Sequence, residues 1–233
     1  MPADAALREK IIVALDVPDV SAARGMVKTL GDAGTFYKIG YELAFVGGFD
    51  LARELISAGK KVFLDLKLHD IPNTIEKGVG QIAGMGATFL TVHAYPQTMA
   101  AAVKGAAGSA LGILGVSVMT SMDNDDLARA GYGMDVETLV VLRARQALEA
   151  GCAGLICSAG DLVNVRAAVG GTLKLITPGI RPAGSDVGDQ KRVMTPGQAI
   201  RAGADHLVIG RPITGARDPK AALLAILDEI HNT

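Results

Sequence analysis

Lys61-Val62-Phe63-Leu64-Asp65-Leu66-Lys67-Leu68-His69-Asp70-Ile71-Pro72-Asn73-Thr74 decides how the rest of this chain is read. An apolar run at 62–66 ends among two acids and a lysine, and a segment with helical periodicity follows at 75–85. A short, continuously apolar run reads as a strand buried on both faces. Pro72 suits the opening turn of a helix, where no backbone N–H is needed. The unit is therefore strand, charged tip, helix. Side chains at i and i+2 share one face of a strand, which aims Asp65 and Lys67 the same way, with Asp70 just beyond. Charges that close titrate together and can hold one another ionised. A lysine pinned between carboxylates is a directed proton donor. The plainer reading is a strand-end ion pair, with Asp70 as a helix N-cap. From this stretch alone both stand.

The unit repeats. Apolar runs at 11–15, 36–39, 62–66, 89–92, 113–118, 154–157, 173–176 and 206–209 alternate with amphipathic segments at 20–30, 51–58, 75–85, 99–107, 136–150, 162–169, 197–202 and 221–230. Strict alternation implies parallel strands joined by right-handed helical crossovers. Eight such units in 233 residues predict a (β/α)8 TIM barrel of the α/β class. A doubly wound open sheet uses the same alternation and is the main competitor. Ala58-Gly59, Met85-Gly86, Ala150-Gly151 and Ala202-Gly203 place glycine where a helix needs a left-handed cap before the next strand. No linker or low-complexity tract interrupts the pattern, so one domain is expected over 1–233.

Hydrophobic residues make up 49%, aromatic residues only 4%, and Trp is absent, so the core must come from Ala, Val, Leu and Ile. A net charge of −1 with no basic block lacks the footprint of a nucleic-acid binder. No apolar run reaches membrane-spanning length, and the first residues lack the order of a signal peptide. Cys152 and Cys157 lie in an apolar segment and read as reduced core residues. A cytoplasmic location is expected.

In a barrel, chemistry sits at the C-terminal ends of the strands. Asp16, Lys38, Asp65 with Lys67, and His93 end the first four strands, and Thr120 and Ser121 follow the fifth. Thr177-Pro178-Gly179-Ile180-Arg181 follows the seventh and Gly210-Arg211-Pro212-Ile213 the eighth. Charges converging on one mouth favour the catalytic reading of the acid–lysine stretch. Loops after strands 7 and 8 are the recurrent phosphate cradle of barrels, which assigns Gly210 and Arg211 to an anion. The polar loop 184–192, with Gln190, suits a lid beside that phosphate, though it could be a plain insertion. Gly78-Val79-Gly80-Gln81-Ile82-Ala83-Gly84 has the wrong spacing and context for a dinucleotide loop and reads as helix packing. His206 opens strand 8 on the stability face, and no histidine joins carboxylates at metal-ligand spacing. No metal or cofactor is expected.

With these motifs in place the chain resembles the orotidine 5'-phosphate decarboxylase family along nearly its whole length. Asp65-x-Lys67-x-x-Asp70-Ile71-Pro72-Asn73-Thr74 and Ile209-Gly210-Arg211-Pro212-Ile213 carry the resemblance most specifically, and Leu15-Asp16, Tyr37-Lys38-Ile39-Gly40, Thr91-Val92-His93-Ala94, Val118-Met119-Thr120-Ser121-Met122, Thr177-Pro178-Gly179-Ile180-Arg181 and Gly188-Asp189-Gln190-Lys191-Arg192 extend it. The resemblance implies that Lys67 donates a proton to C6 of the pyrimidine as carbon dioxide leaves. Asp65 and Asp70 would flank it, with Lys38 extending the charge row and contacting the ribose. Asp16 would bind ribose or base, Thr120 and Ser121 the pyrimidine edge, and Arg181, Gln190, Gly210 and Arg211 the phosphate end. It also implies a homodimer whose active site lies at the interface, with Ile71 beside the substrate and Asp70 and Thr74 reaching the neighbour's site. Two rivals are a magnesium-dependent sugar-phosphate decarboxylase or aldolase of the same barrel group, and a barrel that only binds a phosphorylated ligand.

Overall fold

The computed structural model describes residues 5–182 and 194–233. Eight parallel strands, β1 (Ile11–Ala14), β2 (Phe36–Ile39), β3 (Lys61–Leu68), β4 (Phe89–His93), β5 (Gly112–Val116), β6 (Gly154–Ile156), β7 (Lys174–Thr177) and β8 (His206–Ile209), close into a barrel in sequence order. β8 pairs back onto β1 through Ile11 and Leu207, Ile12 and Val208, and Val13 and Ile209. That closure decides for the (β/α)8 TIM barrel over the open sheet.

The barrel helices are α1 (Val20–Leu30), α2 (Phe49–Ser57), α3 (Pro72–Ala83), α4 (Pro96–Gly105), α5 (Val136–Glu149), α6 (Leu162–Val169), α7 (Pro196–Arg201) and α8 (Pro219–His231). α3 and α4 each begin three residues before the expected start, at a proline. Apolar periodicity begins only after the first turn, whereas proline at the first helical position is already set for helix. Gly59, Gly86, Gly151 and Gly203 all have positive φ, at 74°, 83°, 78° and 108°, as their place after a helix requires. Asn124–Arg129, between β5 and α5, is a short helix that periodicity does not reveal. Its start is a reciprocal cap between Asp123 and Asp126.

Two-residue alternation divides each strand between two cores. Ile12, Ala14, Phe36, Phe63, Phe89, Leu114, Val116, Ile156, Ile176 and Val208 form the barrel interior. Ile11, Val13, Tyr37, Ile39, Val62, Leu64 and Leu90 point outward and pack with the helices. The same alternation, continued upward from Ala14, Phe36, Phe63 and Phe89, delivers Asp16, Lys38, Asp65 and Thr91 to the top of the interior. At the opposite end the ring of His206 meets Phe36 and Phe89 edge-on, at 5.8 and 5.6 Å between centroids. Cys152 and Cys157 are free and buried, and burial pushes both thiols up to about 12, so neither is a ready thiolate. Among the described residues no helix is long and apolar enough to cross a membrane.

Candidate active site

A cavity of about 550 Å³ opens at the C-terminal ends of the strands. Asp16, Lys38, Asp65, Lys67, Thr120, Ser121, Arg181, Gly210 and Arg211 all line it, so it gathers nine of the positions picked out in the sequence. Its remaining wall is largely apolar, with Phe63, Val116, Val118, Ile156, Pro178 and Val208. An anionic end and a flat apolar ring both find partners there.

Four side chains form a row of alternating charge. Lys38 Nζ lies 2.8 Å from Asp16 Oδ1 and 3.6 Å from Asp65 Oδ2, and Lys67 Nζ lies 2.8 Å from Asp65 Oδ1. Lys38 is buried and Asp65 nearly so, while the two ends are more open, Asp16 more than Lys67. Burial raises the Asp65 carboxyl, but the ammonium groups of Lys38 and Lys67, with hydrogen bonds from Lys67 and Thr91, outweigh it and hold Asp65 below the usual carboxylate range. Gly40 makes room for the row: a Cβ there would stand 3.0 Å from Lys38 Nζ and 3.5 Å from Asp16 Oδ1.

The route by which Lys67 reaches Asp65 differs from simple alternation. β3 runs on to Leu68, and its register against β4 shifts between Leu64, opposite Leu90, and Leu68, opposite Val92. Lys67 sits in this irregularity at φ 43°, the one non-glycine residue of positive φ among those described. Such a backbone is strained for a lysine. It is tied down by the Lys67 N–H, which donates to Thr91 Oγ1 at 2.9 Å, while that hydroxyl donates to Asp65 Oδ1 at 2.9 Å. Thr91 therefore sets both partners of the ion pair. Its sequence signal was its place on the inward face of β4, two residues after Phe89, a position that an apolar-run reading passes over.

Asp70, Ile71 and Thr74 do not line the cavity; all three are exposed in the single chain. Asp70 accepts a hydrogen bond from the Ile71 N–H at 2.6 Å, and the N-cap of α3 is Ile71 rather than Asp70. Within the chain the third and fourth charges of the row are thus Lys38 and Asp16, because Asp70 lies past the turn that leaves β3. At the other side of the mouth Gly210 precedes a short helix, Arg211–Thr214, and Arg181 is buried with its N–H donating to the Met194 carbonyl at 3.1 Å. Arg181 after β7 and Arg211 after β8 thus both belong to the cavity lining. Gln190 and the loop 184–192 lie outside the described residues.

A closed (β/α)8 barrel with a lysine–carboxylate row and two arginines lining one cavity at its mouth has the architecture of an enzyme, with arginines after β7 and β8, where such barrels frequently bind phosphate. The model of the Orotidine 5'-phosphate decarboxylase / HUMPS family matches residues 9–226. Orotidine 5'-phosphate decarboxylases of Rhodopseudomonas palustris and Afipia carboxidovorans are 62% and 63% identical over 223 residues, each alignment covering 96% of this chain and 95% of the relative. A crystal structure of orotidine 5'-phosphate decarboxylase from Lactobacillus acidophilus superposes with a TM-score of 0.85 at 36% identity, over 95% of this chain and 99% of that one. The chain belongs to the orotidine 5'-phosphate decarboxylase family.

Proposed function

We propose that this protein decarboxylates orotidine 5'-monophosphate to UMP, the closing step of pyrimidine nucleotide synthesis, as a cofactor-free carboxy-lyase in the cytoplasm, with 1–233 acting as one catalytic domain. The observation that carries this reading is the Asp16–Lys38–Asp65–Lys67 row at the same cavity as Arg181 and Arg211. Breaking the C6–carboxylate bond leaves an electron pair in the plane of the pyrimidine, where the ring delocalises it poorly. A fixed cation must meet that charge as it develops. Lys67 is held for this by Asp65 and by its own tethered backbone. Its Nζ–H proton passes to C6 as carbon dioxide departs, which leaves a neutral amine that solvent reprotonates.

The row also supports a direct route over a metal-assisted one. Asp16 and Asp65, the carboxylates lining the cavity, each already face a lysine ammonium, so a dication would meet like charge. Arg181, Arg211 and the N–H groups after Gly210 hold the phosphate. Binding energy from that remote group can be used to orient and desolvate the reacting carbon. Thr120 and Ser121 meet the pyrimidine edge.

The functional unit in this reading is a homodimer that completes each site from both chains. Its support is the exposure of Asp70, Ile71 and Thr74 beside the mouth, with Ile71 65% and Phe45 82% exposed. A contiguous exposed apolar patch marks a contact surface, and Tyr41, stacked on Phe45, and Val46 are exposed as well. The test of the activity is a spectrophotometric assay on orotidine 5'-monophosphate in EDTA. Full turnover is expected; activity that disappears with the chelator would shift the assignment to the magnesium-dependent sugar-phosphate enzymes, and no turnover would end it.

A further inference from the structure

The cavity wall bearing Thr120 and Ser121 belongs to the long connection between β5 and α5, and a cluster outside the charge row ties that connection down. Tyr132, near its end, shares a hydroxyl–hydroxyl hydrogen bond of 2.6 Å with Tyr95, the residue before α4. The Arg143 guanidinium of α5 lies over the Tyr95 ring at 4.5 Å, and the His69 ring stacks on Tyr95 at 4.5 Å between centroids. His69 is itself anchored at 3.2 Å to the buried Thr98 hydroxyl, and it immediately precedes Asp70. One phenol ring therefore touches the β5–α5 connection, α5 and the loop that leaves β3.

The connection needs such a tie. A second cavity of about 230 Å³, lined by His93, Met119, Met122 and Leu127 as well as by Tyr95, Tyr132 and Arg143, separates part of it from the barrel strands. Apolar contacts are incomplete over such a gap, so packing alone underdetermines where the segment sits. Within itself the segment is well braced, by the reciprocal cap of Asp123 and Asp126 and by Asn124 Oδ1 accepting from the Val136 N–H at 2.9 Å. It can therefore respond as a body to a tether at one end. The bond to Tyr132 pushes the Tyr95 phenol above its usual range, so it is protonated at neutral pH.

We infer that Tyr95 and Tyr132 are positioning residues for the pyrimidine: their hydroxyl bond registers the segment carrying Thr120 and Ser121 against the loop that carries Asp70, and so sets the base against the charge row. The inference rests on the proposed decarboxylase reading. Neither phenol touches the substrate; both act through the segment they join.

Tyr132→Phe and Tyr95→Phe each remove one hydroxyl and keep the ring. Each is expected to raise the KM for orotidine 5'-monophosphate and the inhibition constant of UMP by about tenfold, the order expected for one lost hydrogen bond. Inhibition by ribose 5-phosphate, which lacks the base, should stay within about twofold of wild type, a contrast that general loosening of the fold would not produce. The double variant should be no worse than either single one, because both remove the same bond. Wild type that turns over orotidylate while the variants keep its UMP affinity, or lose UMP and ribose 5-phosphate equally, overturns this inference alone. Wild type without turnover or UMP binding overturns the proposed function and the inference together.

Discussion

At the scale of single residues, the proposed chemistry rests on how Lys67 is held. A lysine ammonium on a four-carbon stem loses much rotamer freedom when it is fixed. Here the fixing is done at both ends, by Asp65 at the ammonium and by the Thr91 hydroxyl at the backbone N–H. Removing one partner of such a network costs more than its mean worth, because the other partner is left unsatisfied away from water. Thr91→Val keeps the shape and deletes the hydroxyl. It should destabilise the fold by about 1–3 kcal/mol in urea titration. It should also move the Asp65 carboxyl upward, since one of the groups holding it ionised is gone. A change below about 0.5 kcal/mol would mean that water takes over the role of the hydroxyl.

At the scale of elements, the two ends of the barrel have opposite electrostatics. The mouth gathers charge; the floor buries an imidazole among phenyl rings. His206 donates from Nδ1 to the Glu9 carbonyl at 2.8 Å. Burial pushes its pKa below the usual range, by more than the Glu9 carbonyl raises it. His93 is lowered too, by burial first and then by His69 and Lys67. In the unfolded chain a histidine titrates near about 6.5. Between that pH and the lower folded value the unfolded state binds more protons, so stability falls as pH drops below about 6.5. Asp65 contributes the same sign lower down, with stability present above the ordinary carboxylate range and lost as pH falls through its depressed folded pKa. Urea unfolding at pH 7.5 and 5.5 should therefore show the protein weaker at the acid value. His206→Phe should reduce that difference; an unchanged difference would place the acid sensitivity elsewhere.

At the scale of the whole molecule, the single chain presents an arrangement in which two parts of one sequence motif separate. Asp65 and Lys67 enter the cavity, while Asp70 and Thr74, a few residues on, stand outside it and exposed. A symmetric pair of chains would use both parts, each chain completing the other's site. Lys67→Ala and Asp70→Ala should each fold and each lose at least about a thousandfold in turnover, since in the proposed dimer each withdraws a charge from the reacting centre. Co-refolded in equal amounts, they should recover roughly a quarter of wild-type activity, because random pairing makes half the dimers mixed and each mixed dimer keeps one intact site. No recovery on mixing would show that each chain works from its own residues.

The sequence by itself determined the alternating parallel α/β architecture, because buried parallel strands and their helices announce themselves as alternating apolar and amphipathic runs, while the pairing of β8 with β1 decided for a closed barrel over an open sheet. It also located the nine positions around the cavity, since residues after strand ends in this architecture can only converge on one mouth. What it could not supply were contacts between elements distant along the chain. The Thr91 bridge, the left-handed turn at Lys67 and the Tyr95–Tyr132 bond each depend on register and loop path. Those were decided only when β3 settled against β4 with its shift, and when the β5–α5 segment came down beside α4. Periodicity reports which face a residue occupies; which partner waits across that face is a property of the packed molecule.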